Sequence, residues 1–128
     1  MKRILLACFL LTATCSVTFV QKATAQTTPV TQASFTEKVN QMDAYIAAGN
    51  MTSAQATWEQ VHQMMITVLG VTKASIRDAA TPAVKASYVT IMQNQRTIYN
   101  AIWELKPDLA GNRTALHTKL GEFDATIY

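Results

Sequence analysis

A chain of 128 residues that is 49% hydrophobic is long enough for a single domain with its own core, without metal or disulfide staples. Its formal charge of +3 comes from the N-terminus, because Lys2, Arg3 and Lys22 lie in a segment that reads as an export leader. Without them the acidic and basic side chains balance, which argues against nucleic acid as a partner and against the polybasic kind of anionic-membrane binder.

Residues 1–25 have the layout of a cleaved signal peptide. Lys2-Arg3 form a positive start, Ile4 to Val20 a mostly apolar run, and Ala23-Thr24-Ala25 the small-x-small site cut before Gln26. This predicts a small exported protein of the bacterial envelope, periplasmic or secreted, with no membrane insertion after cleavage. Both cysteines, Cys8 and Cys15, leave with the leader, so no disulfide, thiolate nucleophile or cysteine metal site is expected in the remainder. Cys15 also offers a minor alternative, a lipoprotein anchored there, although Thr12-Ala13-Thr14 suits lipid attachment poorly.

Residues 26–33 (QTTPVTQA) read as a flexible arm, and 34–128 as the folded domain. Ser34 and Glu37 have capping-box spacing, and Phe35, Val39, Met42 and Ile46 then form one apolar stripe. Gly49-Asn50 ends this first helix, since glycine adopts the left-handed C-terminal conformation at little cost. Thr52 and Gln55 form a second capping box ahead of the stripe Trp58, Val61, Met65, Val68, Thr72 and Ile76. Gly70 lies inside that stripe and is a point where the helix could kink or break. Thr81-Pro82 starts a third helix with the stripe Val84, Tyr88, Ile91, Gln95, Ile98, Ile102 and Leu105, and Pro107 stops it. Asp108 is placed to cap a last helix carrying Leu109, Leu116, Leu120, Phe123 and Ile127.

No segment alternates with period two. The predicted fold is all-α, an antiparallel up-down-up-down four-helix bundle. The first helix is expected to hold about 14 residues and the second and third about 25 each, roughly 37 Å at the α-helical rise. The hairpin end around residues 71–84 should therefore project beyond the first helix, to be covered by the Pro29-Val30 arm or by a partner. The sequence AGNxT occurs twice, at Ala48 to Thr52 and at Ala110 to Thr114, and reads as reused turn chemistry.

Four constellations carry candidate chemistry. Glu59 and His62 share one helix face at i,i+3, the spacing of di-iron carboxylate bundles, but no second copy of the motif accompanies them. His62, Met64 and Met65 together form a soft-ligand set suited to copper, with Met65 equally suited to the core. Arg113-x-Ala115-x-His117-x-Lys119 resembles the last helix of periplasmic b-type four-helix cytochromes. That resemblance implies haem b held between Met42 of the first helix and His117 of the last. Met51-Thr52-Ser53-Ala54-Gln55 is similar to the LTxxQ motif of Spy-type periplasmic chaperones, which implies a small helical protein offering an amphipathic surface to other envelope proteins. Gln95, in the middle of an apolar stripe, needs a polar partner, and Thr72 or Arg113 is the expected one.

No glycine-rich phosphate loop, G-x-S-x-G elbow or second metal motif is present in the sequence, so no catalytic residues are nominated and the expectation is not an enzyme. The sequence therefore points to a non-catalytic, chaperone-like binding module that needs no cofactor. Its partner is an envelope protein or a second copy, met through Val71, Ile76 and Val84 at the hairpin end. The alternative is a haem- or copper-binding bundle using Met42/His117 or His62/Met64/Met65.

Overall fold

The computed structural model describes residues 28–128. The leader, its cleavage site, Cys8 and Cys15 lie outside the described residues. Four helices run in order: α1 Gln32–Ala47, α2 Met51–Asp78, α3 Pro82–Leu105 and α4 Arg113–Asp124, with a 3-10 turn at Lys106–Asp108. Each helix packs against two others, α1 on α2, α2 on α3, α3 on α4 and α4 back on α1, which closes the antiparallel four-helix bundle.

The apolar stripes fall where helical spacing puts them. Phe35, Val39, Met42 and Ile46 are buried from α1; Trp58, Val61, Met65 and Val68 from α2; Ile98 and Ile102 from α3; and Leu116, Leu120 and Phe123 from α4. Leu109 and Ile127, on either side of α4, close the core. Full burial of each large side chain contributes about 1.5–3 kcal/mol. Phe35 and Phe123 meet at 5.6 Å between ring centroids and tie α1 to α4.

The helix starts differ from the sequence reading in three places, for local reasons. Thr31, not Ser34, caps α1: the Thr31 hydroxyl accepts from the Ser34 amide at 3.1 Å and Ser34 Oγ accepts from the Thr31 amide at 3.0 Å. The reciprocal box therefore begins three residues early, and Gln32, assigned to the arm by its composition, is helical. Its side-chain amide donates to the carbonyls of Asp124 and Ile127, at 3.2 and 3.0 Å. Asn50, not Thr52, caps α2, its Oδ1 accepting from the Ser53 amide at 3.2 Å. Gly49, at φ 72°, reverses the chain so sharply that the next helix begins at Met51.

Asp108 does not cap α4 but closes the preceding turn, accepting from the Gly111 amide at 2.8 Å. A Cβ at Gly111 would collide with that carboxylate. The two AGNxT segments thus do different work: the Asn50 side chain caps a helix, whereas the Asn112 side-chain Nδ2 donates back to the Leu105 carbonyl at 3.0 Å. Thr81 caps α3 as expected, accepting from Val84 at 3.2 Å, with Pro82 in the first turn. Helix α2 runs unbroken through Gly70.

Unequal lengths set the outline of the molecule. Helices α2 and α3 have 28 and 24 residues, while α1 and α4 have 16 and 12. The third stripe is consequently buried only from Gln95 onward: Tyr88 and Ile91 are half-buried and Val84 is 43% exposed. The arm does fold over the hairpin, but at its root. Pro29 and Val30 enclose a cavity of about 90 Å³ with Val68, Val71, Thr72, Ile127 and Tyr128. The Tyr128 hydroxyl donates to Ser75 Oγ at 3.0 Å and its ring meets that of Tyr88 at 5.6 Å. Val71 remains 51% exposed, and residues 80–87 have no cover from α1 or α4.

Candidate functional site

On the outer flank of α2 and α3, at the level of buried Thr72 and Gln95, the two helices form a groove. Leu69, Gly70, Lys73 and Ile76 come from α2, and Met92 and Arg96 from α3. The spacing explains the grouping, since Leu69, Lys73 and Ile76 share one helix face and Met92 and Arg96 another. Gly70 leaves the floor low: a Cβ there would meet nothing within 4 Å. The open groove has a volume of about 400 Å³.

Below this groove the same flank becomes aromatic. His62 Nε2 lies 2.8 Å from the Tyr99 hydroxyl, and His62 Nδ1 lies 3.9 Å from the Glu59 carboxylate. The His62 ring is parallel to buried Trp58, with centroids 6.2 Å apart, and tilted against Trp103 at 5.1 Å. Tyr99 stacks on Trp103 at 6.2 Å, and Lys106 Nζ sits 4.4 Å above the Trp103 ring. A ladder of rings thus runs from the core to the 44% exposed Trp103.

Charge is segregated along the sequence. Residues 69–96 hold Lys73, Arg77, Lys85 and Arg96 against Asp78 alone. The rest of the described chain has an acidic excess, from Glu37, Asp43, Glu59, Glu104, Asp108, Glu122 and Asp124. Among the described residues Arg77, Arg113 and Lys119 are held in ion pairs with Asp78, Asp43 and Glu122. Lys38, Lys73, Lys85, Arg96 and Lys106 enter none; Lys73, Lys85 and Arg96 lie on the α2–α3 hairpin, Lys38 on α1 and Lys106 in the 3-10 turn.

The proposed ligand sets are distributed differently. Glu59 and His62 do approach each other, but both ring nitrogens of His62 already face side chains, Tyr99 and Glu59. Met65 is fully buried in the core and Met64 packs against its edge. Among the described residues no three of His, Cys, Asp and Glu cluster closely enough to hold a metal ion. Met42 is 2% exposed inside the core, whereas His117 is exposed on α4. His117 lines a shallow groove with Phe35, Thr36, Val39 and Asn40, of which Met42 is not a wall. Tyr99 and Trp103 lie on the α2–α3 flank, while Phe123 is packed between α1 and α4.

Gln95 is fully buried, but neither expected partner serves it. Its Nε2 donates to the Thr126 carbonyl at 3.3 Å, and its Oε1 faces no protein donor. Thr72 spends its hydroxyl on the Val68 carbonyl of its own helix at 3.2 Å. Arg113 makes a two-pronged pair with Asp43 at 2.6 and 2.8 Å, clasping α4 to α1. That hydrogen bond from Arg113 holds the Asp43 carboxyl below its ordinary value, against the opposing effect of partial burial.

The sequence reading chose Val71, Ile76 and Val84 for the hairpin surface. It missed Gly70, Lys73, Met92 and Arg96, which share the groove with Ile76. The signal was present as 4-3 spacing from Leu69 to Ile76 and 4-residue spacing from Met92 to Arg96, outside the core stripes. No helix among the described residues is long and apolar enough to cross a membrane. No protein-family model, curated protein or solved structure matches the chain.

Proposed function

We propose that this chain is a non-catalytic binding module of the bacterial envelope that works through the outer flank of the α2–α3 hairpin. One observation supports the reading: half-buried Leu69, Ile76 and Met92 line a groove on this flank together with Lys73 and Arg96, which enter no ion pair among the described residues. A cation on a long aliphatic stem beside apolar surface costs little to keep in water and interacts with both apolar and anionic groups of a partner. The export signal read from residues 1–25 supplies the proposed compartment.

The test is the sedimentation of the chain in a gently prepared extract of its producing cell. Gly70→Trp fills the groove without altering charge and should return the chain to the size of an isolated monomer. Glu37→Trp, on the exposed side of α1, should leave its associations intact. Equal behaviour of the two variants would contradict the assignment of this face.

A further inference from the structure

Resting on that assignment of the face, we infer that its partner is a bilayer surface rich in anionic phospholipid, met by the groove between α2 and α3. The groove has the two-part chemistry of such a lipid. Leu69, Ile76 and Met92 make its walls apolar, Gly70 keeps the floor open, and Lys73 and Arg96 stand on the same lining. Arg96 can hold phosphate oxygens through its fork of donors and Lys73 as a point charge, while the walls receive the first methylenes of an acyl chain.

The total charge of the folded domain conceals this property. Near neutrality argued against an anionic surface as partner, yet the acidic and basic groups are not mixed. Within 69–96 four cations face one carboxylate, and Asp78 is engaged with its neighbour Arg77 at 2.7 Å. That leaves Lys73 on α2 and Lys85 and Arg96 on α3 outside any ion pair, and each adds to the attraction of an anionic lipid surface. The remaining carboxylates stand on other elements, Glu37 on α1, Glu122 on α4 and Asp108 in the turn between α3 and α4, and none of them lines the groove.

A polypeptide partner fits the flank less well. Protein interfaces concentrate their affinity in a few anchors seated in desolvated pockets and in paired donors and acceptors. Here the charged groups of the groove are donors only, and the Tyr99 hydroxyl further down is already engaged with His62. Such an array reads negative charge and apolar depth without reading a sequence.

The experiment is flotation of the purified full chain with vesicles of phosphatidylglycerol and phosphatidylcholine in equal parts, against vesicles of phosphatidylcholine alone. The chain should float with the anionic vesicles only, and raising the salt to about 0.5 M should release it. Lys73→Glu with Arg96→Glu should weaken recruitment by more than about tenfold. Lys38→Glu with Lys119→Glu, the same charge change on α1 and α4, should not. Gly70→Trp should weaken recruitment without changing charge, and circular dichroism will show that each variant keeps its helices. Equal recruitment to both vesicle types, or full recruitment of the Lys73/Arg96 variant, would overturn the inference. If vesicles recruit nothing while Gly70→Trp still abolishes an association in the extract, the lipid is wrong and the face is right. If neither effect is seen, both fall.

Discussion

The Tyr99 hydroxyl and His62 Nε2 lie 2.8 Å apart across the α2–α3 seam, joining the two longest helices at the point where the core gives way to the open flank. Trp58 backs this bond from inside and Trp103 from outside, so the root of the hairpin is held by ring stacking as well as by one hydrogen bond. Beyond it Tyr128 still packs on Tyr88 and Ser75, and only residues 80–87 depend on the two helices alone.

Tyr99→Phe isolates the hydrogen bond, because the ring and its stacking stay while the hydroxyl goes. His62 is only partly exposed, so its Nε2 is left with incomplete solvation. Urea unfolding should show a loss of about 1 kcal/mol. No change in midpoint would mean that stacking alone joins the helices here.

Gln95 presents the opposite case. Its Nε2 makes a long bond of 3.3 Å, and its buried Oε1 faces no protein donor. An unmatched buried acceptor costs about 1–3 kcal/mol, comparable to or more than one neutral hydrogen bond returns. Gln95→Met, similar in length and apolar, should leave the bundle at least as stable as the parent. Amide exchange at residues 126–128 should quicken, because the Thr126 carbonyl loses its anchor. A loss above about 1.5 kcal/mol would show that Gln95 specifies the core rather than burdening it.

Gly70 lies in the interior of α2, with ordinary backbone dihedrals and open space where a Cβ would stand. Gly70→Ala should therefore raise stability by about 0.5–1 kcal/mol in thermal or urea unfolding. A methyl group on the groove floor should also weaken whatever binds there. Gain of stability together with loss of binding is the outcome that marks the glycine as serving the surface rather than the fold.

Asp43 and Arg113 give the bundle an acid-sensitive clasp. The hydrogen bond from Arg113 lowers the Asp43 carboxyl from its ordinary 3.8, and burial only partly opposes it. A carboxyl with a lowered folded value stabilises the fold above its unfolded value and loses that contribution as pH falls through the folded one. Unfolding followed from about pH 5 to about pH 3 should therefore show stability falling in the parent, and falling less steeply in Asp43→Asn. Parallel curves would show that the pair contributes nothing, as many exposed pairs do.

The fold was legible because burial is periodic. Phe35 to Ile46, Trp58 to Thr72 and Leu116 to Phe123 repeat every three or four residues, and that spacing alone separates helix from strand. The caps were less legible because Thr31, Ser34, Asn50 and Thr52 are all competent N-caps; the winner is decided by the reciprocal bond at Thr31–Ser34 and by the abrupt turn at Gly49. The partner of Gln95 could not be read because it is a backbone carbonyl, which leaves no mark in side-chain identity. The groove was hidden for a related reason. Lys73 and Arg96 stand 23 positions apart and become neighbours only when α2 and α3 pair in one register.

The most direct test of the central claim is site-specific photo-cross-linking in the producing cell, with the reactive side chain placed at Met92 in the groove or at Glu37 on the exposed side of α1. Adducts from Met92 and none from Glu37 are the predicted result. Adducts from Glu37 with none from Met92 would contradict the account and move the working surface to the other side of the bundle.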